Sequence, residues 1–167
     1  FSEKGSCRIC LARGTTPGPI YEKLVDPSCV GNLDLAKVEL LFGDERLVPP
    51  DHDDSNYLMA KRCFGEGFSR FGSVRRIEGE LEDRALAASR YENFLKDVVD
   101  VMLLGMGPDA HIASLFPESS AFAHRGALAM AVKCPKPPPW RVTVMPRVIE
   151  GASRIFVLVT GSAKAKA

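Results

Sequence analysis

The strongest constraint on the fold is that short apolar runs alternate with longer segments of helical periodicity. Residues 98–104, VVDVMLL, are apolar with one interruption, which is typical of a strand covered on both faces. Residues 82–95 carry apolar side chains spaced by three and four, as an amphipathic helix requires. This alternation favours a parallel sheet wrapped by helices. We therefore predict an α/β fold, Rossmann-like, with a mostly parallel open sheet and helices on both faces.

The rest of the chain continues the same alternation. Further strands are predicted at 7–12, 38–42, 74–77, 141–144 and 155–160, and further helices at 17–24, 56–63, 110–115 and 148–152. The helix at 110–115 is expected to stop there, because Pro117 disfavours helical geometry in the residue before it. We find no repeat and no low-complexity linker, so the 167 residues are predicted to form one domain, 1–167. Both ends look cut, and N- and C-terminal segments are expected to be missing.

Composition limits the kinds of partner. The chain has 22 Lys and Arg against 21 Asp and Glu, so no field of one sign attracts nucleic acid or an anionic membrane. Its apolar stretches fall far short of the roughly 18 residues that cross a bilayer. The first residues, FSEKGSCRI, lack a signal-peptide layout. We predict a cytoplasmic monomer that binds a small molecule, with no nucleic acid and no membrane.

The cysteines predict neither disulfides nor a metal site. Their number is five and most lie beside apolar residues, which favours reduced core thiols. Cys7 and Cys10 form a C-x-x-C pattern, but positions i and i+3 of a strand point to opposite faces. The pattern also lacks the second pair of ligands that a structural zinc site needs.

Loops that follow the strands are the candidate site, because ligands of open α/β sheets bind at the carboxyl ends of the strands. In the first loop, ARGTTP at 12–17, Gly14 allows close approach of the backbone to a ligand. Thr15 and Thr16 stand at a helix start, which favours an anion. This loop is a candidate phosphate cradle. The alternative is a simple cap in which the Thr16 hydroxyl serves its own helix.

The second loop places three charges, Asp44, Glu45 and Arg46, directly after an apolar strand. Asp44 is a candidate for orienting a sugar hydroxyl or a base, and Arg46 is a candidate phosphate ligand. The alternative is a solvated turn with a local ion pair. Two later loops each add one cation, Arg141 and Lys164, which could meet the same phosphate if the loops converge.

The third loop, GMGPDAHIA at 105–113, first suggests a dinucleotide-binding turn. That interpretation needs a long crossover helix and then a strand ending in an acid about 20 residues on. The sequence fails this test, because Pro117 ends the helix early and residues 121–139 have no clean β pattern. The nucleotide interpretation is therefore rejected.

What remains in this loop is a glycine turn, Gly105 and Gly107, beside Asp109 and His111. A histidine at the mouth of a buried strand is a candidate general base near neutral pH. The alternative is a histidine at a helix start that faces water.

Taken in order, these loops resemble the 6-phosphogluconolactonase family, part of the glucosamine-6-phosphate isomerase/6-phosphogluconolactonase superfamily. The most specific segment is GMGPDAHIASLFP at 105–117, which is similar to the family signature GxGxDGHxASLFP. FGDERLVP at 42–49, followed by SNY at 55–57, is similar to a second signature. The family has SGGSTP where this chain has ARGTTP, and residues 139–143 and 161–164 occupy its later signature positions.

The resemblance implies hydrolysis of 6-phospho-D-glucono-1,5-lactone to 6-phosphogluconate in the oxidative pentose phosphate pathway, without a metal or other cofactor. It implies that His111 takes a proton from the attacking water, and that Asp109 or Asp44 orients His111 or the sugar hydroxyls. Backbone N–H groups around Gly105 and Gly107 are expected to stabilise the oxyanion. The implied phosphate ligands are Gly14, Thr15, Thr16, Arg46, Arg141 and Lys164.

Two alternatives stay open. The deaminase-like isomerases that act on glucosamine 6-phosphate share the sheet and the histidine, but typically continue Phe-Asn-Glu-Pro where this chain has SLFP at 114–117. The other alternative is a non-catalytic sugar-phosphate sensor, motivated by two departures from the family pattern. Arg13 and Ala110 each replace a glycine. Arg13 is expected either to add a cation to the phosphate site or to strain a backbone of positive φ, and Ala110 is expected to be the milder change.

Overall fold

The computed structural model describes residues 5–165 and 167. Its strands are β1 (Cys7–Leu11), β2 (Val38–Phe42), β3 (Asp44–Arg46), β4 (Ser73–Val74), β5 (Val101–Gly105), β6 (Ala129–Lys133), β7 (Trp140–Val144) and β8 (Arg154–Leu158). Its α-helices are α1 (Gly18–Leu24), α2 (Pro27–Val30), α3 (Asn56–Phe64), α4 (Arg84–Glu92) and α5 (Pro146–Glu150). Short 3₁₀ turns lie at Leu35–Lys37, Gly65–Arg70, Ser120–Ala123 and Ser162–Lys164.

Five parallel strands form the main sheet, in the order β4-β2-β1-β5-β8. At its centre Cys10 pairs with Leu41 on one side and with Met102 on the other. Neighbouring residues of a strand point to opposite faces, and both Leu40 and Leu41 are 0% exposed. Both faces of the sheet are therefore covered, and the predicted α/β fold with a mostly parallel sheet is confirmed.

Helix α4 is fastened to the end of β2. The helix begins after Asp83, whose carboxylate accepts hydrogen bonds from the N–H groups of Ala85 and Leu86 at 2.9 and 3.0 Å. Further along the helix, the buried Tyr91 hydroxyl accepts from the N–H of Phe42 at 2.7 Å and donates to its carbonyl at 2.8 Å. The end of β2, where the second candidate loop begins, is thus held from the helix side.

A second sheet, which was not predicted from the sequence, continues from the end of β2. Strands β3, β7 and β6 pair antiparallel in the order β3-β7-β6. Gly43 joins the two sheets, because its N–H donates to Leu11 at 2.9 Å and its carbonyl accepts from Val144 at 2.8 Å. The alternative of a solvated turn at 44–46 is wrong, since all three charged residues are buried within β3.

Residues 110–115 do not form the predicted helix. The N–H of Gly107 donates to the carbonyl of His111 at 2.9 Å, which closes a tight loop after β5. Ala110 and Ala113 have φ angles of 60° and 52°, in a left-handed region that an α-helix does not use. The helical prediction is therefore wrong at this point.

Two of the predicted strands are shorter in the structure. The strand predicted at 74–77 is reduced to β4, and the last predicted strand is β8, the outer edge of the main sheet, where Phe156 is 50% exposed. Cys10 is buried and Cys7 is half-buried. The described part of the chain contains no cluster of three or more potential metal ligands. None of its described helices is long and apolar enough to cross a membrane.

Candidate active site

A cleft of about 240 Å³ opens where the loops that follow the central strands meet. The predicted site residues that line this cleft are Gly14, Thr15, Thr16, Asp44, Arg46, Gly105, Gly107, His111, Arg141 and Lys164. Asp109 does not line the cleft, but it contacts His111. The structure thus brings the loops selected from the sequence to one place.

His111 and Asp109 form a close pair at this cleft. Nδ1 of the imidazole lies 2.5 Å from Oδ1 of Asp109. The ring stacks on Phe116 with the two centroids 4.4 Å apart, and the His111 side chain is only 18% exposed. The alternative of a histidine that merely faces water is therefore wrong. Because Nδ1 is engaged, Nε2 is the nitrogen left to exchange a proton.

The other oxygen of Asp109 is held by a lysine that was not selected from the sequence. Nζ of Lys136 lies 2.7 Å from Oδ2 of Asp109. Partial burial raises the pKa of Asp109, but the hydrogen bonds from Lys136 and His111 outweigh it, so that this pKa lies well below its usual range. Asp109 is therefore a carboxylate at neutral pH and accepts a hydrogen bond from Nδ1–H of His111.

Gly107 is required for the pair to form. A β-carbon at this position would overlap with Nδ1 of His111 and with Oδ1 of Asp109. Its N–H group is engaged by the carbonyl of His111 at 2.9 Å. This one N–H group therefore closes the loop, and the oxyanion role of the backbone N–H groups around Gly105 and Gly107 stays a prediction.

Asp44 lies in the cleft wall, and among the described residues no hydrogen bond or ion pair joins it to His111. It is only 6% exposed. Its Oδ1 accepts from Nδ2 of Asn56 at 2.8 Å, and its Oδ2 accepts from the hydroxyl of Ser114 at 2.5 Å. Nη1 of Arg141 lies 3.9 Å from the same Oδ2. Asp44 is thus the centre of a buried polar cluster that joins β3, α3, β7 and the loop after His111.

Glu45 and Arg46 differ in how completely they are bonded. The carboxylate of Glu45 accepts from three backbone N–H groups, those of Arg46, Asn56 and Tyr57, at 2.7 to 2.9 Å, and so fixes the start of α3. Burial raises the pKa of Glu45 despite these bonds. Burial also lowers the pKa of Arg46 to about 10. Within the described chain the buried Nε of Arg46 has no hydrogen-bond acceptor, whereas its Nη1 donates to the carbonyl of Asp54 at 3.2 Å.

Arg141 is bonded internally through all of its guanidinium nitrogens. It is 3% exposed. Nε donates to the carbonyl of Pro138 at 3.2 Å, and Nη2 to that of Lys136 at 3.4 Å. Nη1 donates to the hydroxyl of Ser114 at 3.4 Å. The residue therefore holds the proline-rich loop before β7 in place.

The loop before α1 is open towards the cleft. Gly14 has a φ of 121°, which only glycine adopts readily. The hydroxyl of Thr16 lies 2.9 Å from that of Thr160, and α1 has no side-chain cap. The alternative in which Thr16 caps its own helix is therefore wrong. Lys164 lines the same cleft and makes no ion pair with any other described residue.

Of the two departures from the family pattern, Ala110 strains the backbone and Arg13 does not, which is the reverse of what the sequence predicted. Arg13 is absent from the described residues of positive φ, so its backbone is not strained; its Nη2 lies 3.4 Å from Oδ1 of Asp54. Ala110, in contrast, has a φ of 60°, where an L-residue costs about 1–2 kcal/mol. The expectation that Ala110 is the milder change is wrong.

Sequence reasoning missed Asn56, Ser114 and Lys136. Asn56 and Ser114 lie inside the segments that resemble the family signatures, which indicated that these positions matter. The sequence did not indicate that both side chains bond to Asp44. The only signal for Lys136 was a single cation in a proline-rich segment, KPPP at 136–139, which did not show that it faces Asp109.

The fold and the cleft define an α/β protein with a histidine–carboxylate pair and several cations at the carboxyl edge of a parallel sheet. The family described as glucosamine-6-phosphate isomerases/6-phosphogluconolactonase matches residues 1–167. The chain belongs to this family.

Individual relatives agree with that assignment. The chain is 36% identical to "Probable 6-phosphogluconolactonase 4, chloroplastic" from Oryza sativa subsp. indica over an alignment 187 residues long, gaps included. The alignment covers 99% of the chain and 56% of that relative. It is 34% identical to the 6-phosphogluconolactonase of Haemophilus influenzae, with 94% of the chain and 69% of the relative covered. The chain thus spans little more than half the length of the rice relative.

Solved structures show the same architecture. The crystal structure of 6-phosphogluconolactonase from Thermotoga maritima superposes with a TM-score of 0.83 at 29% identity, covering 98% of this chain and 74% of that one. A monomeric glucosamine-6-phosphate deaminase superposes with a TM-score of 0.79 at 23% identity, covering 99% and 75%. The second likeness shows a shared fold only.

Proposed function

We propose that this protein hydrolyses 6-phospho-D-glucono-1,5-lactone to 6-phosphogluconate. The observation that carries the proposal is the pairing of Nδ1 of His111 with Asp109 at 2.5 Å in the wall of a cleft that several cations line. The names of the rice and Haemophilus influenzae relatives, both 6-phosphogluconolactonases, support the same substrate.

In the proposed mechanism His111 acts as the general base. Nε2 takes a proton from a water molecule as its oxygen attacks C1 of the lactone. The tetrahedral intermediate collapses with cleavage of the bond between C1 and the ring oxygen, and the imidazolium returns its proton to that oxygen. The new carboxylic acid then ionises. Asp109 stabilises the imidazolium between the two steps, because it is a carboxylate at 2.5 Å from Nδ1.

The phosphate is proposed to lie against the loop of Gly14, Thr15 and Thr16. Lys164 and Arg46 line the same cleft and supply positive charge to it. Arg141, whose nitrogens are bonded internally, is proposed to support the site through the proline-rich loop and Asp44. Asp44 is likewise proposed to stabilise the site rather than to transfer a proton.

The test is a coupled assay on freshly generated lactone, with release of 6-phosphogluconate followed against the spontaneous reaction. We expect the wild type to accelerate hydrolysis and His111→Ala to lower kcat by roughly 10²- to 10⁴-fold, the usual contribution of a positioned general base. His124→Ala is the control, since His124 is not among the residues that line the cleft. Wild-type kcat in His111→Ala would refute the proposed base.

The same preparations distinguish the alternatives. Release of ammonia from glucosamine 6-phosphate would identify a deaminase, and binding of 6-phosphogluconate without lactone turnover would identify a sensor. The rice relative is named as chloroplastic, whereas the cytoplasmic location and monomeric state of this chain stay predictions.

A further inference from the structure

Lys136 lies in a loop that was not part of the predicted site, yet its ammonium group reaches the residue behind His111. Nζ of Lys136 is 2.7 Å from Oδ2 of Asp109, and Oδ1 of the same carboxylate is 2.5 Å from Nδ1 of His111. Each oxygen of Asp109 therefore has one charged or polar partner. The carboxylate cannot rotate without breaking one of these contacts.

The position of Lys136 is fixed from the interior of the protein. The carbonyl of Lys136 accepts from Nη2 of Arg141 at 3.4 Å, and the carbonyl of Pro138 accepts from Nε at 3.2 Å. Since Arg141 is 3% exposed, the loop is anchored to a buried guanidinium. This anchoring distinguishes Lys136 from an ordinary surface lysine, whose ion pairs are weakly held.

Phe116 brings the groups together on one surface. The ring of His111 stacks on it at a centroid distance of 4.4 Å, and Nζ of Lys136 lies 5.8 Å from the same ring centroid. The aromatic ring restricts the imidazole from one side, and the Asp109–Lys136 pair restricts it at Nδ1. The side chain of Asp109 is 38% exposed, so without the lysine it would be free to turn towards water.

We propose that Lys136 is a positioning residue, whose ammonium group fixes Asp109 so that this carboxylate holds the Nδ1–H tautomer of His111 and leaves Nε2 as the proton acceptor. Lys136 acts through Asp109 and does not touch the reacting atoms. The catalytic consequence rests on the proposed lactone hydrolysis, but the effect on the imidazole does not.

The first experiment separates positioning from substrate binding by kinetics. Lys136→Met is expected to lower kcat by roughly 10-fold or more, with a limit of about 10²-fold for a misplaced catalytic group, and to leave KM within about twofold because a positioning residue adds nothing to ground-state binding. Lys136→Arg is expected to restore most of kcat, since a guanidinium also bonds a carboxylate. Lys133→Met, which removes an exposed lysine of β6 three residues earlier, is expected to behave as wild type.

A double-mutant cycle adds a stricter test. In the His111→Ala background, Lys136→Met is expected to change kcat no further, because residues that act as one unit are not additive. A raised KM with unchanged kcat, or an undiminished effect of Lys136→Met in the His111→Ala background, would overturn the proposal, since either result would place Lys136 on the substrate.

The second experiment does not depend on turnover. Nitrogen-15 spectra of the His111 ring, taken at a pH where the ring is uncharged, are expected to show the Nδ1–H tautomer in the wild type and in Lys136→Arg, and a mixture of both tautomers in Lys136→Met. The same tautomer in wild type and Lys136→Met would overturn the proposal. If the wild type hydrolyses no lactone but the tautomer shifts as expected, the proposed function fails while the positioning role of Lys136 stands.

Discussion

Gly107 leaves no room for a side chain beside His111: a β-carbon there would overlap with Nδ1 and Cε1 of the imidazole. Gly107→Ala is therefore expected to separate His111 from Asp109. We expect kcat to fall by roughly 10²-fold, because a displacement of about 1 Å at a reacting group has an effect of this size. Steady-state kinetics on fresh lactone measure it.

Gly126→Ala is the matched control for this variant. Nothing lies within 4 Å of a β-carbon at position 126, and its φ is not in the left-handed region. It is expected to keep wild-type kcat and a wild-type melting temperature. If Gly107→Ala is folded and equally active, the overlap with His111 does not control the site.

Ala110→Gly is expected to stabilise the protein. Ala110 has a φ of 60°, a geometry that destabilises an L-residue by about 1–2 kcal/mol, and glycine relieves this strain. Part of the resulting gain in stability is offset by the greater freedom of glycine in the unfolded chain. The net increase in the free energy of unfolding is about 0.5–1 kcal/mol, measured by urea denaturation. Ala85→Gly, at an exposed position in α4, is the control and is expected to lower stability. Equal losses in both variants would contradict the prediction.

Asp44 is expected to contribute to stability through its buried cluster. Asp44→Ala leaves Arg141 without its carboxylate at a site that is 3% exposed, and breaking a buried ion pair in this way costs about 3–5 kcal/mol. Asp54→Ala removes a side chain that is 43% exposed, so its loss is expected to be below about 1 kcal/mol. Urea unfolding of the two variants makes the comparison. Similar losses would show that the cluster around Asp44 does not stabilise the fold.

The main sheet could be predicted because its strands are almost uniformly apolar. Leu40 and Leu41 are both fully buried, and such runs stand out in a sequence. The second sheet could not be predicted in this way. Its strand β3 consists of Asp44, Glu45 and Arg46, which in isolation indicate a solvated turn. Their burial depends on partners far along the chain, such as Ser114, which is 70 residues from Asp44.

The site was predictable in location and less so in its contacts. The carboxyl ends of parallel strands meet at one edge, so the loops of Gly14, Asp44 and His111 were correctly brought together. Local pattern could not show that Lys136 faces Asp109, because the two residues lie on separate loops whose approach depends on β6 and β7. The helix expected at 110–115 failed for the same reason, since tertiary contacts fixed a left-handed backbone there.

The contribution of Asp109 to stability is expected to depend on pH. Partial burial raises the pKa of Asp109, but the hydrogen bonds from Lys136 and His111 lower this pKa by more than burial raises it. The pKa in the folded chain therefore lies below the usual range. A carboxyl of this kind binds its proton less well when folded. It therefore stabilises the fold fully above the unfolded-state pKa of about 4, and this contribution is lost as the pH falls below that value.

The difference in unfolding free energy between wild type and Asp109→Asn should accordingly be constant near neutral pH and shrink as the pH falls from about 4 to about 3. Its size is expected to be below about 1 kcal/mol, because the side chain is 38% exposed and solvent screens the pair. Urea unfolding at several pH values measures it. Asp53→Asn, whose side chain is 84% exposed, is expected to show a small difference throughout. A difference for Asp109→Asn that stays the same down to about pH 3 would mean that Lys136 and His111 do not favour the ionised carboxylate, because a carboxyl with an unshifted pKa adds no pH dependence to folding.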